Sequence, residues 1–199
     1  MALPAPLANL SSETLDGLGG GRRGDFRLAG EPVHFERGLD RLQLFDLVTH
    51  ERAASRYRFE PAGGPPVEAV CQGRQTTLSI GGAEARARPA RLACQWQGTA
   101  APTRLTLDAV ARAGGREERQ GVFSAGPLTL ELQSVHRWDG AALPVAEPVG
   151  YVMSVQGRPV GALELNGTPR LWRPAEPGPL RDAVTWAALA LALSWGPGG

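Results

Sequence analysis

"RDAVTWAALALALSW", residues 181–195, decides the fold. From Ala183 to Trp195 the stretch holds thirteen residues without a charge, about 20 Å of helix at about 1.5 Å per residue. A bilayer core of about 30 Å needs about 20 apolar residues, so this segment is too short to span one. A helix lying at a membrane surface keeps a charged face opposite its apolar one. Here Leu180, Val184, Leu191 and Trp195 cover one side, Trp186, Leu189 and Leu193 another, and alanines fill the rest. A helix apolar all round is buried all round. Pro177 and Pro179 mark its start, Asp182 falls in the first turn where it suits the helix dipole, and Gly196-Pro197 stops it. The pattern predicts a helix over 180–195, with Val184, Trp186, Leu189, Leu191, Leu193 and Trp195 as core.

What surrounds that helix reads as β-structure. "LTLEL" from Leu128 puts Leu128, Leu130 and Leu132 on one face, with Thr129 and Glu131 on the other. "YRF" at Tyr57–Phe59 and "LTLDAV" from Leu105 alternate in the same way. Period-2 alternation marks a strand with one face buried and one wet. Further strands are predicted near 25–36, 41–49, 67–80, 85–97 and 120–124, with "ELQSVHRW" continuing the strand from Leu128. In "GYVMSVQGRPVGALELNGTPRLW", Asn166-Gly167 is the preferred pair for a two-residue type I′ turn, which needs positive φ at both positions. Gln156-Gly157 predicts a second turn, giving a meander over 150–156, 159–165 and 168–173. Asn-Gly-Thr also spells a glycosylation sequon, but the turn explains it.

Ten to twelve short strands followed by one apolar helix imply a mainly β fold, an antiparallel barrel or closed sandwich curled around the helix. That combination resembles the Tubby C-terminal and phospholipid-scramblase-like architecture, with "GRPVGALELNGTPRLW" similar in style to its closing strands. The resemblance implies association with membrane lipid. It covers the last fifty or so residues by pattern and the remainder by strand count, and no site residue is carried over from it.

Bulk properties narrow the function classes. The chain has 199 residues, 42% of them hydrophobic, and a net charge of +1, which gives no global attraction to nucleic acid. All 21 basic residues are Arg, and Ile80 is the one isoleucine. This is the mark of a GC-rich, bacterial coding sequence, so the arginine count reads as codon usage. Residues 1–24 lack the basic and long apolar regions of a signal peptide; their Pro, Ser and Gly content predicts a flexible lead-in, with "GLGGG" as hinge to one β-rich domain over 25–199. "RGD" at Arg23–Asp25 is short enough to recur by chance.

Candidate chemistry is sparse. His34, His50 and His136 are far apart, form no paired-ligand motif, and read as surface or strand-end residues. Glu36, Asp40, Asp46, His50 and Glu51 would have to gather at a cleft to act together; His50, Glu51 and His136 are the polar-site candidates. There is no Gly-x-Ser-x-Gly elbow, no phosphate loop and no interleaving of aromatic with basic residues. Arg22, Arg23 and "GGREERQG" around Arg116 read as solvated loops.

Cys71 and Cys94 are the remaining pair. A four-residue turn at Gly81–Glu84 would set Cys71 directly opposite Cys94, although a bulge at Gly73 would shift the pairing by one. A disulfide, two buried free thiols, or a redox or metal role are the alternatives, and the absence of a C-x-x-C motif argues against the last.

Three functions are compatible with this reading. The leading one is a non-catalytic bacterial β-barrel module binding a lipid or protein partner at the cell envelope or periplasm, with no cofactor, metal, nucleic acid or transmembrane segment. The others are an assembly protein docking through a sheet edge or its N-terminal arm, and a small hydrolase using the histidines and carboxylates named above.

Overall fold

The computed structural model describes residues 1–44, 48–80, 83–111 and 117–194. A short helix α1 (Ala5–Ala8) is followed by β1 (Ser12–Asp16), β2 (Arg23–Leu28), β3 (Glu31–Leu44), β4 (Val48–Phe59), β5 (Val67–Ile80) and β6 (Ala83–Gln97). Then come β7 (Thr103–Ala111), β8 (Glu117–Ala125), β9 (Leu128–Val135), β10 (Gly150–Val155), β11 (Arg158–Glu164) and β12 (Arg170–Trp172), and finally helix α2 (Pro179–Leu193). The twelve strands close into one antiparallel barrel in which neighbours around the wall are neighbours in the chain. β1 seals it against β12, with Ser12 opposite Trp172 and Thr14 opposite Arg170.

Two-residue periodicity sorts the side chains. On β4, Glu51, Ala53, Ser55, Tyr57 and Phe59 are buried, while His50, Arg52, Ala54, Arg56 and Arg58 are exposed. Apart from Glu51, β4 therefore points uncharged, mostly apolar groups inward and its arginines outward, the inverse of an outer-membrane barrel. Inside lies α2, with Val184, Leu189, Leu191 and Leu193 all at most 1% exposed and packed in one cluster with inward residues of the strands. Each buried leucine stabilises by about 1.5–3 kcal/mol. Small residues let wall and helix touch: a Cβ on Gly161 of β11 would lie 2.5 Å from Val184 Cγ1.

Polar groups fix where α2 begins. Arg173 is buried, pairs with Glu13 Oε2 at 2.6 Å, and donates from Nη1 to Thr185 Oγ1 at 2.6 Å. The Thr185 hydroxyl in turn donates to the Arg181 carbonyl at 2.7 Å. Asp182 is exposed, yet partial desolvation at the helix start raises its carboxyl above the usual carboxylate range; Arg173 and Arg181 oppose the shift and Glu31 adds to it.

Several expectations need correcting. The first 24 residues are not a lead-in, because β1 and the start of β2 belong to the wall and Leu7 and Leu15 are buried. Arg37 ties the glycine-rich stretch down, donating from Nη2 to Gly19 O at 2.5 Å and from Nε to Gly21 O at 3.0 Å. The strand expected at 25–36 is a hairpin, since Ala29 and Gly30 both take positive φ between the paired Leu28 and Glu31. The strand expected at 41–49 spans two elements, the end of β3 and the start of β4.

Gln156 and Gly157 form the positive-φ pair of a two-residue turn, but Asn166 does not have positive φ. The paired residues Glu164 and Arg170 flank a five-residue connection there. β9 stops at Val135, short of "HRW", and "EERQ" of the supposed loop near Arg116 opens β8, while Arg116 lies outside the described residues. The helix runs 179–193 and not 180–195; Trp186 is half-buried and Trp195 lies outside the described residues.

Candidate functional site

The polar candidates do not converge. His50 and Glu51 are consecutive on β4, so their side chains leave opposite faces of the wall. His50 is exposed, its Nδ1 3.1 Å from Thr76 Oγ1. Glu51 is buried and bound by Arg41, whose Nε donates at 2.7 Å. Glu36 pairs with Arg23 across β2 and β3. Asp46 lies outside the described residues.

His136 is buried just past the end of β9. Its Nδ1 is 3.1 Å from the Val145 carbonyl, which can only accept, so Nδ1 carries the proton. Nε2 then accepts from the Ser134 hydroxyl at 2.9 Å, and Ser134 Oγ accepts the Arg119 N–H at 2.8 Å. A second bond, Val145 N–H to His136 O at 2.7 Å, completes a clamp holding the 136–149 segment against the wall. Among the described residues no group of three His, Cys, Asp or Glu is placed to hold a metal ion, and no helix is long and apolar enough to cross a membrane.

Cys71 and Cys94 form a disulfide between β5 and β6, directly opposite each other in the ladder. The route to that register differs from the sequence argument. Ala83 and Glu84 are not turn residues, because they pair with Ile80 and Ser79. Two irregularities between Arg74 and Thr77 then shift the ladder back into the Cys71–Cys94 register, and Gly73 itself pairs regularly with Leu92. Pro89 falls in the first of them, where a strand tolerates a missing N–H.

The same register builds the most unusual feature of the surface. One ladder row across the wall reads Asp40, Arg52, Arg74, Arg91, Asp108, from β3 to β7. All five are exposed on the outer face. Three arginines thus stand side by side on adjacent strands, about 4.8 Å apart at the backbone. Arg91 reaches Asp108 at 3.4 Å, whereas Arg52 and Arg74 have no ion-pair partner among the described residues. Like charges directly opposite each other destabilise a strand pair. The row borders a hollow of about 660 Å³ that His50, Glu51 and Thr76 also line, the one place where the polar candidates Asp40, His50 and Glu51 come near one another among the described residues. A second hollow of about 720 Å³ lies over Gly38 and Ala54, toward Arg22 and Arg56.

Codon usage alone accounts for the number of arginines but not for this alignment, which cross-strand register creates. A signal existed: the β5–β6 register that sets Cys71 opposite Cys94 also sets Arg74 opposite Arg91.

Comparison of the chain with protein-family models, curated proteins and solved structures finds no match.

Proposed function

We propose that this protein is a non-catalytic binding module that holds an anionic partner against the outer face of β3–β6. The observation that carries this is the arginine row: two guanidinium groups without an ion-pair partner among the described residues, beside a third that pairs with Asp108 at 3.4 Å, on three adjacent strands of the wall. Holding them together costs stability that an external anion returns. Among the described residues, α2 and the inward side chains of the strands pack into one buried cluster, so the proposal rests on the outer face. A hydrolase reading would have to start from Asp40, His50 and Glu51, which border one hollow, but His50 and Glu51 leave opposite faces of β4, Glu51 is held by Arg41, and His136 lies elsewhere. A cross-strand disulfide suits a chain that folds in an oxidising compartment such as the bacterial envelope.

Chromatography on phosphocellulose tests the reading. The protein should be retained at low salt, and Arg52→Gln with Arg74→Gln should elute at lower salt than Arg27→Gln with Arg158→Gln, which removes the same charge elsewhere. Equal elution of the two double variants, or no retention of the parent protein, overturns the proposal. So does turnover of a generic ester, phosphoester, peptide or glycoside that is lost in His50→Ala or His136→Ala.

A further inference from the structure

We infer that the anionic partner is a linear phosphate polymer lying across the strands in a trough beside the arginine row. This rests on the binding function proposed above and gives its ligand a chemical class. The floor of the trough is the next outward row, in which Gly38 pairs with Ala54, Ala54 with Gln72, and Gln72 with Ala93. Three of those four residues carry no side chain beyond Cβ, so the backbone there is open to a ligand.

Arginines stand on both banks. Arg52, Arg74 and Arg91 form one; on the other, one row further, Arg56 on β4 and Arg104 on β7 stand at the two ends of a row whose middle is Val70 and Gln95. Arg56 has no ion-pair partner among the described residues, and Arg104 makes one long bond, from Nε to Ser124 Oγ at 3.3 Å. Residues four apart along a strand are about 13 Å apart, so guanidinium groups from the two banks can lean over one extended chain but leave no room for two. Glu36 on the second bank is already held by Arg23 at 2.5 Å. Asp40 on β3 and Asp108 on β7 end the first bank on either side of its three arginines.

Ligand class follows from shape and chemistry. Planar guanidinium forks favour phosphate oxygens in bidentate contact. Three of them in a line about 10 Å long do not converge on a point, so they suit repeated charges better than one compact anion. The trough rows carry no aromatic side chain, which removes the base-stacking platform of single-strand binders.

Titration of the intact, oxidised protein decides the matter, with inorganic polyphosphate of several tens of units, pyrophosphate, an oligo(dT) strand and phosphatidylglycerol vesicles as four separate probes. Polyphosphate should bind at least about tenfold tighter than pyrophosphate, with log K falling against log salt at a slope of about 2–3, as for three or so phosphates neutralised. Ala54→Glu or Ala93→Glu, each an exposed position that should leave the melting temperature unchanged, should weaken polyphosphate binding about tenfold or more by adding a carboxylate to the floor. Equal affinity for pyrophosphate overturns the polymer assignment in favour of a compact anion site. Oligo(dT) or vesicles binding as well as polyphosphate overturns it in favour of nucleic acid or a membrane surface. Unchanged binding by both floor variants removes the trough. If phosphocellulose retention still depends on Arg52 and Arg74 while polyphosphate shows no preference, the binding function stands and the polymer falls; if neither holds, both fall.

Discussion

The Tyr57 hydroxyl donates to the main-chain carbonyl of Trp186 at 2.9 Å, joining the barrel wall to the helix inside it. It also accepts the indole N–H of Trp96 at 2.8 Å, so β4, β6 and α2 meet at one buried oxygen. Burial pushes the Tyr57 phenol far above its ordinary range, which keeps it protonated and able to donate at any pH the fold survives. Tyr57→Phe keeps the ring and leaves the Trp96 N–H without its partner in a buried site. The expected cost is about 1–3 kcal/mol. Urea unfolding should show a lower midpoint with an unchanged slope. A midpoint equal to the parent's would mean that packing alone seats the helix.

Where α2 touches the wall most closely, a glycine makes room. Gly161→Ala would place a methyl 2.5 Å from Val184 Cγ1 and 3.1 Å from the Trp172 carbonyl. Overpacking of this kind costs about 1–3 kcal/mol. Val184→Ala should offset part of that loss, so the double variant should be more stable than the sum of the two single changes predicts. Strict additivity in a thermal-unfolding cycle would show that the helix and β11 do not press on each other.

Reduction of the Cys71–Cys94 bridge should lower stability by about 3 kcal/mol on the chain-entropy estimate, for a sequence separation of 23. Cys71→Ala with Cys94→Ala should lose at least as much, because both sulfurs are buried in the core. Thiol titration of the denatured, unreduced protein should find no free thiol. Two free thiols in protein from an oxidising compartment would refute the bridge.

How far the sequence leads depends on the range of the forces involved. Alternation set by burial is local, so "LTLEL" identifies β9 and "YRF" the end of β4 without knowledge of any partner. The all-round apolarity of residues 183–193 likewise reveals a helix enclosed by other elements. β1 escaped because "SETLD" buries Leu15 fully but is too short for a pattern; its identity as a strand comes from β2 and β12 on either side. The turn at Asn166 failed for a related reason. Local preference for Asn-Gly competes with the register of Glu164 against Arg170, and the sheet wins. The arginine row was hidden because Arg52, Arg74 and Arg91 lie on three strands, and only cross-strand register makes them neighbours.

Asp182 predicts a pH dependence of definite sign. Partial desolvation leads the rise in its folded-state carboxyl, against the pull of Arg173 and Arg181. The native state therefore binds this proton more tightly than the unfolded chain, whose carboxyl titrates near about 3.9. Between that range and the raised native value, this group's contribution to stability falls as pH rises; below both it is fully present. Asp182→Asn should flatten the stability profile across that window. Parallel profiles for the two proteins, from unfolding curves at a series of mildly acidic pH values, would show that Asp182 is as well solvated in the barrel as outside it.

The enclosed helix should be indispensable. Leu191 is 1% exposed within a cluster that joins α2 to the strands of the wall, so Leu191→Ala should cost about 2–5 kcal/mol through lost burial and the cavity left behind. Leu191→Arg would bring an unpaired charge into an apolar interior and should cost more. Set against a typical total stability of about 5–15 kcal/mol, the charged variant should fail to fold. Ending the chain before Pro179 would expose the inward faces of twelve strands to water at once. That truncated protein should be insoluble, or should bind a hydrophobic dye and melt without a cooperative transition. A soluble truncated chain with a sharp thermal transition would mean that the wall closes on its own. The helix would then be a plug in a self-standing barrel, and its leucines would not be needed to hold the strands together.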